Sequence, residues 1–216
     1  MKERHGVIRT NYNCHIQATE EQVIVSADVS NIASDAEHLL SMIEQTEENI
    51  GEKIEKINAD SGYASLANYE ELEKRQIDTY MPDRGFIMEK EGKLKDEKNR
   101  FCRGNFRYEK ENDCYLCPAH KRLSFFRAIE GDRAGVKIRL YKGEECLSCE
   151  FKNRCCSNVR VRIIKRDKRE EIIERVREKL KTEAGRAIYL KRMFSVEHIF
   201  GHIKRNLKFF LFLLIG

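Results

Sequence analysis

The sequence contains little proline and no long apolar run. Only 2 of its 216 residues are proline and 41% are apolar, so the chain can build a packed core. Its longest apolar run, residues 209–215, is far shorter than the roughly 20 residues that a helix needs to cross a bilayer. No secretory signal pattern opens the sequence. We therefore expect a cytoplasmic protein that does not act at a membrane.

Charged residues are abundant, at 36% of the chain, and they are distributed unevenly. Residues 1–60 hold 5 Lys/Arg against 12 Asp/Glu, whereas residues 160–216 hold 16 against 7. The basic end is where an anionic partner such as a nucleic acid would bind. Helices rich in Lys, Arg and Glu are also common as solvated faces that bind nothing. Charge alone leaves both interpretations open.

Apolar periodicity in the first third predicts strands alternating with helices. The first two strands are separated by a polar turn, which predicts an antiparallel pair. The first helix has a capping-box pattern at Ser34 and Glu37 and a stop at Gly51. Strands are predicted over residues 11–18, 23–29, 54–59 and 77–81, with a second helix over 65–75. This order predicts an α/β fold with parallel neighbours.

The rest of the chain divides by composition. Charge and glycine dominate residues 83–100, which indicates a boundary or loop. Residues 101–158 hold seven of the 8 cysteines and two strand-like runs joined by the turn at 131–135, and they read as an inserted module. Residues 159–216 return to helical patterns. We predict three segments: 1–100, 101–158 and 159–216.

Two acidic residues stand where chemistry could take place. Asp60 follows a short buried strand, and the carboxyl ends of strands form the ligand crevice of α/β sheets; it could equally be a turn or capping aspartate. Glu197 lies on a predicted helix with Lys204 two turns later and Arg192 and Arg205 nearby. A glutamate on a basic helix is also commonly a surface ion-pair partner.

The cysteines form a pattern that is typical of zinc sites. Cys114 and Cys117 have a two-residue spacing, as do Cys146 and Cys149, and Cys155 follows closely. Thiolates at these spacings suit tetrahedral Zn²⁺. In a reducing compartment a disulfide framework is not expected, which points to metal binding as the explanation for the clustering. Spacing alone would choose Cys114 as a ligand. Reduced cysteines that pack as small apolar side chains are the alternative.

Two histidines also have a metal-like spacing. His198 and His202 are four residues apart on the predicted C-terminal helix, but no third ligand accompanies them. We interpret them as polar residues of a groove.

Several stretches together resemble one family. They are Asn11-Tyr12-Asn13, residues 23–31, Ala59 to Tyr63, residues 77–82, and Ser195 to Asn206. In this order, and with the cysteine module before the last, they are similar to the DDE transposases of bacterial insertion sequences. The resemblance implies a ribonuclease H-like mixed sheet flanked by helices, with a cysteine-bearing insertion. It implies DNA cleavage and strand transfer on the ends and target of a transposon.

The resemblance also assigns residues. Asp60 matches the second catalytic aspartate of the family and Glu197 its catalytic glutamate, so both would bind Mg²⁺ or Mn²⁺. Arg192, Lys204 and Arg205 would contact DNA. The Tyr-x-Cys-Pro match at Tyr115 to Pro118 favours a structural zinc site with one set of ligands, namely Cys117, Cys146, Cys149 and Cys155.

The resemblance leaves one catalytic residue unmatched. The family's first aspartate lies on the first strand, upstream of Asn11-Tyr12-Asn13, and no residue here matches it; Asp28 falls in a different element. We therefore expect a fold without its first strand, inactive alone, acting as a homo-oligomer or with a complementing N-terminal fragment. The alternative is a zinc-stabilised DNA-binding protein with no catalysis.

Overall fold

A computed structural model describes residues 12–131 and 135–208. Asn11, most of the turn at 131–135, and the apolar run at 209–215 therefore lie outside the described residues. The chain is a mixed α/β protein with two compact units. The first combines residues 1–83 with 172–216, and the second comprises residues 84–171.

The first unit begins with the predicted antiparallel pair. Strand β1 (Asn13–Ala18) pairs with β2 (Ile24–Ser30) from Asn13 opposite Ser30 to Ala18 opposite Ile24. The Thr19 amide donates to the Val23 carbonyl at 2.9 Å across the connecting turn. Both strands and their antiparallel pairing were predicted by alternating apolar residues on either side of a polar turn.

Helix α1 (Leu39–Ile50) begins later than its capping pattern predicted. The Ser34 side chain makes no capping hydrogen bond, and residues 35–37 form a separate 3₁₀ turn before the helix. The capping-box interpretation was therefore wrong. The predicted stop is confirmed, because Gly51 adopts a left-handed conformation with φ of 72°, which glycine reaches without steric cost.

A parallel strand pair follows, connected by a helix. Strands β3 (Lys56–Asn58) and β4 (Asp78–Tyr80) pair in parallel through helix α2 (Leu66–Lys74), as the alternating pattern predicted. The Ser65 side chain caps α2 by accepting from the Asn68 amide. Tyr69 is buried and its hydroxyl donates to the Met81 carbonyl at 2.7 Å, so α2 is fixed to the end of β4.

The C-terminal helices complete the first unit. Helix α5 (Glu170–Lys181) carries Arg177, which makes two hydrogen bonds of 2.6 and 2.7 Å to the carboxylate of Asp83. Helix α6 (Glu183–Arg205) is capped by the Thr182 side chain, which accepts from the Gly185 amide. Within the described ranges, no helix is long and apolar enough to cross a bilayer.

The second unit is built on an antiparallel sheet in which strands follow chain order. Two short helices accompany it, α3 (Arg84–Lys90) and α4 (Lys152–Cys155). The strands are β5 (Arg107–Glu109), β6 (Cys114–Leu116), β7 (Arg122–Glu130), β8 (Lys137–Gly143) and β9 (Ile163–Asp167). Its core is a largely aromatic cluster formed by Phe106, Tyr115, Leu123, Tyr141 and Ile164.

Candidate active site

Asp60 lies just beyond the carboxyl end of β3. Ile57 of this strand is buried, and the chain leaves the sheet into a 3₁₀ turn formed by residues 61–63. One carboxylate oxygen of Asp60, Oδ1, accepts a 2.7 Å hydrogen bond from the Gly62 amide and caps this turn. A Cβ atom at Gly62 would lie 2.5 Å from Asp35 Oδ2 and 2.9 Å from Asp60 Oδ1, so a larger residue here would displace these carboxylates.

Arg192 joins Asp60 to Glu197. Its guanidinium places Nη1 3.8 Å from Asp60 Oδ2 and Nη2 3.0 Å from Glu197 Oε1. The arginine side chain is only 20% exposed, whereas those of Asp60 and Glu197 are 45% and 48% exposed. The fold therefore brings together two carboxylates that are 137 positions apart in the sequence and leaves both accessible to solvent.

These residues line one wide groove of about 1230 Å³ in the first unit. The remaining predicted DNA-contacting residues, Lys204 and Arg205, are also among its lining residues. His198 and His202 are exposed and do not line it. His202 Nδ1 instead lies 2.8 Å from the side-chain nitrogen of Asn206 on the same helix.

A pair of stacked histidines, His15 and His38, contacts the turn that follows Asp60. His15 of β1 lines the groove but is almost fully buried, and its ring stacks on that of His38 with centroids 4.4 Å apart. His15 Nδ1 lies 2.7 Å from the hydroxyl of Tyr63, in the turn that follows Asp60. His38 Nδ1 lies 3.2 Å from Asp28 Oδ2. The Nε2 atoms of both rings are buried with no hydrogen-bond partner among residues 12–131 and 135–208.

Burial sets the protonation of the contact between His15 and Tyr63. Burial lowers the pKa of His15, and the neighbouring ring of His38 lowers it further, although nearby carboxylates oppose this. Burial also raises the pKa of Tyr63 far above its usual value, with Asp35 and Asp60 adding to the effect. Both groups are neutral near pH 7, so the 2.7 Å contact is a hydrogen bond between two uncharged side chains.

Asn58 fixes α6 to the strand that leads to Asp60. Its side-chain amide donates to the carbonyl oxygens of Ile188 and Tyr189 at 2.8 and 3.2 Å. Its Oδ1 atom is buried and has no partner in the described part of the chain. Because Asn58 is two residues before Asp60, and Ile188 and Tyr189 precede Glu197 on the same helix, this contact ties the segment that carries Asp60 to the helix that carries Glu197.

The predicted zinc ligands meet in the second unit. Cys117, Cys146, Cys149 and Cys155 all line one small cavity of about 20 Å³, and Cys156 lines it as well. Cys114 is buried on β6 and does not line it. Burial raises the pKa of Cys155 to about 11, and the neighbouring thiols of Cys156, Cys146 and Cys117 also raise it. The geometry thus groups the four cysteines that the Tyr-x-Cys-Pro resemblance favoured together with Cys156, and it leaves Cys114 apart.

Neither cluster forms a complete metal site by geometry. Among residues 12–131 and 135–208, no three His, Cys, Asp or Glu side chains are arranged to hold a metal ion. The donors nevertheless fit the expected ions in chemical type. Two accessible carboxylates near one guanidinium offer hard oxygen ligands, and Mg²⁺ is commonly bound by one or two carboxylates with water and substrate phosphate. The four thiols offer the soft ligands that Zn²⁺ takes.

Three residues that shape the site were not predicted as site residues from the sequence, namely His15, Asn58 and Tyr63. Strand β1 places Asn13, His15 and Gln17 at alternate positions, so a polar face was visible in the pattern before the structure. Asn58 is the last residue of β3 and lies two residues before Asp60. Their partners lie 48 or more positions away, and local patterns do not identify such pairs.

Comparison with known families agrees with the resemblance. A family model described as the transposase DDE domain matches residues 93–216, a range that includes Glu197 and the four clustered cysteines but not Asp60. No curated protein and no solved structure matches the chain significantly. Because the matched range covers more than half of the sequence, the chain belongs to the transposase DDE domain family.

Proposed function

We propose that this protein is the catalytic part of an insertion-sequence transposase, which cleaves DNA and joins strands in the groove of the first unit. The observation that supports this most is the contact of one guanidinium, that of Arg192, with both Asp60 and Glu197. Contact with one side chain brings two acids that are distant in the sequence to the same part of the groove, as a shared divalent metal requires. The family match supports the same class of reaction.

Each groove residue has a role in this proposal. Asp60 and Glu197 bind Mg²⁺ or Mn²⁺ through carboxylate oxygens, and Arg192 holds the two acids together in the free chain. When bound, the divalent ions activate the attacking oxygen and stabilise the leaving oxygen of a phosphodiester. Lys204 and Arg205 bind the phosphate backbone, which positions a DNA strand over the two acids.

The first unit would be part of a ribonuclease H-like domain, and the second unit an insertion within it. Support comes from the order of elements: an antiparallel pair, then a parallel pair with an acid at the carboxyl end of β3, and a long C-terminal helix that carries the second acid. Residues 84–171 interrupt this order and form a compact unit of their own.

The thiol cluster of the second unit would hold a structural Zn²⁺. Cys117, Cys146, Cys149 and Cys155 would supply its four ligands. A site with four thiolates leaves no open position, so this zinc would stabilise the fold and take no part in catalysis.

The chain alone would bind divalent metal weakly and would not cleave DNA. Asp60 and Glu197 are joined by no third metal-binding side chain within the described ranges, whereas the family resemblance implies a third acid. Activity would then require a third acid that neither Asp60 nor Glu197 supplies.

The test measures metal binding and strand cleavage separately. Mn²⁺ affinity is measured by titration calorimetry for the full chain, for Asp60→Asn and for Glu197→Gln. Glu20→Gln is the matched control, because Glu20 lines the same groove but pairs with Lys191 at 2.6 Å. Both site variants should lose most Mn²⁺ binding, and the control should retain it. Equal binding by all four proteins would contradict the proposed metal site.

Cleavage of transposon-end DNA by the purified chain tests the second part. The proposal expects no cleavage in Mn²⁺ from the 216-residue chain alone. Robust cleavage that Asp60→Ala abolishes would refute the claim of inactivity while supporting the assigned site. A protein that binds zinc and DNA without any dependence on divalent metal in the groove would favour the non-catalytic alternative.

A further inference from the structure

Two adjacent phenylalanines interrupt the sheet of the second unit. The pairing of β7 with β8 shifts register between Phe125 and Arg127, so Phe126 lies at a bulge. Both rings are large apolar groups left in solvent, 45% exposed for Phe125 and 51% exposed for Phe126. Phe125 also contacts the core through Tyr141, with centroids 6.1 Å apart, whereas Phe126 has no ring contact in the described part of the chain.

Cations surround these rings. The guanidinium of Arg127 lies 5.6 Å from the centroid of Phe126, and the ammonium of Lys142 lies 5.1 Å from it. The guanidinium of Arg139 lies 4.6 Å from the centroid of Phe125. A single exposed phenylalanine needs no explanation, but an exposed aromatic ring with two cations beside it is an uncommon surface.

The charge of the two cations beside Phe126 is not neutralised within the described residues. Arg127 and Lys142 form no ion pair there, in contrast with other exposed cations of the unit, such as Lys121 with Glu145 and Arg154 with Glu97. Lys142 pairs across the sheet with Ile163, and Lys165 lies two residues further along β9 on the same face. Ile163 is 45% exposed.

We propose that this surface, formed by Phe126, Arg127, Lys142, Ile163 and Lys165, binds single-stranded DNA. Its cations match the charge of phosphates, and an exposed ring offers a face on which an unpaired base stacks. A duplex hides its base faces, so a stacking surface favours an unpaired strand. The choice of DNA as the partner rests on the proposed function of the groove.

The test uses the full chain and a fluorescein-labelled 20-nucleotide oligothymidylate, followed by fluorescence anisotropy in buffer without added Mg²⁺ or Mn²⁺ and without a chelator, so that any zinc in the second unit is retained. Without Mg²⁺ or Mn²⁺ the acids of the groove do not contribute, so a failed result here leaves the metal-binding proposal untouched. Phe126→Ala should weaken binding about 5- to 150-fold, the effect of losing one base stack, and Phe126→Tyr should not. Leu147→Ala, which removes another exposed apolar side chain of the same unit, should have no effect.

Salt dependence separates stacking from phosphate contact. Lys142→Gln should lower the slope of log affinity against log salt by about 0.7, the contribution of one phosphate on a single strand. Phe126→Ala should leave that slope unchanged. The control Lys98→Gln should leave both slope and affinity unchanged, because Lys98 is exposed on the same unit but lies near Asp96.

Three results would overturn the proposal. The first is an unchanged affinity of Phe126→Ala for the oligothymidylate. The second is an equal loss of affinity for a 20-base-pair duplex, which would show that stacking on an unpaired base is not involved. The third is tighter binding of oligouridylate than of oligothymidylate, which would identify RNA as the partner.

Discussion

Replacing Tyr63 by Phe removes the hydroxyl that fixes the turn after Asp60. This hydroxyl lies 2.7 Å from His15 Nδ1, and the other ring nitrogen of His15 is already buried without a partner in the described part of the chain. The variant would leave both nitrogens of a buried ring unpaired. Leaving a buried polar group unsatisfied costs about 1 to 3 kcal/mol, whereas an ordinary surface substitution changes stability by about 0.5 kcal/mol or less.

The expected loss is large enough to measure. For a chain of about 200 residues, about 1 kcal/mol shifts the melting temperature by about 2 to 4 °C, so Tyr63→Phe should lower it by about 2 to 12 °C. The assay is thermal and urea unfolding followed by circular dichroism. Tyr12→Phe is the matched control, since Tyr12 is 48% exposed and the same hydroxyl is removed.

A double-mutant cycle then tests the pairing itself. His15→Leu combined with Tyr63→Phe removes both partners, and such a double replacement should cost less than the sum of the single changes. The difference should be about 0.5 kcal/mol or more. If Tyr63→Phe has the same melting temperature as the Tyr12→Phe control, the contact does not stabilise the turn after Asp60. The same conclusion follows if the two substitutions have additive effects on the free energy of unfolding.

Burial lowers the pKa of His15 below 6.5, so as pH drops from about 6.5 the unfolded chain takes up a proton before the folded chain does, and the free energy of unfolding should fall. His15→Gln should reduce that fall, whereas His120→Gln, at an exposed histidine, should not. Urea unfolding at each pH measures the difference. Asn58→Ala should change the free energy of unfolding by only about 1 kcal/mol, because two hydrogen bonds and one unpartnered buried oxygen disappear together. Because the variant also releases α6 from the strand that leads to Asp60, the Mn²⁺ affinity measured by calorimetry should drop about 10-fold. Cys117→Ser should lower the zinc content measured by mass spectrometry, whereas Cys114→Ser should retain it; equal losses would contradict the assigned ligands.

Short-range patterns predicted much of the first unit. Alternating apolar residues predicted β1, β2 and their antiparallel pairing, and helical spacing between two strands predicted that β3 and β4 would pair in parallel. The start of α1 was wrong by several residues, because Ser34 and Glu37 have capping-box spacing but a 3₁₀ turn precedes the helix instead. Local propensity does not decide between these two ways of entering a helix.

Partners distant in the sequence could not be derived from local patterns. That Arg192 contacts both Asp60 and Glu197 depends on where α6 lies relative to β3, and Asn58 fixes that position through main-chain carbonyls, which any sequence provides. The exposure of Phe126 could not be predicted from the sequence either, since it depends on a bulge that shifts one strand against the next. Residue type indicated candidates, and only the folded chain grouped them.

The proposed function requires that Asp60 and Glu197 bind the same divalent metal site. Iron(II) replaces Mg²⁺ in such sites, and with ascorbate and hydrogen peroxide it cleaves the backbone close to where it is bound. Mass spectrometry of the products should locate cuts both near Asp60 and near Glu197, suppressed by excess Mg²⁺ and absent in Asp60→Asn. Cuts near one acid alone, or cuts that persist in Asp60→Asn, would contradict the shared site.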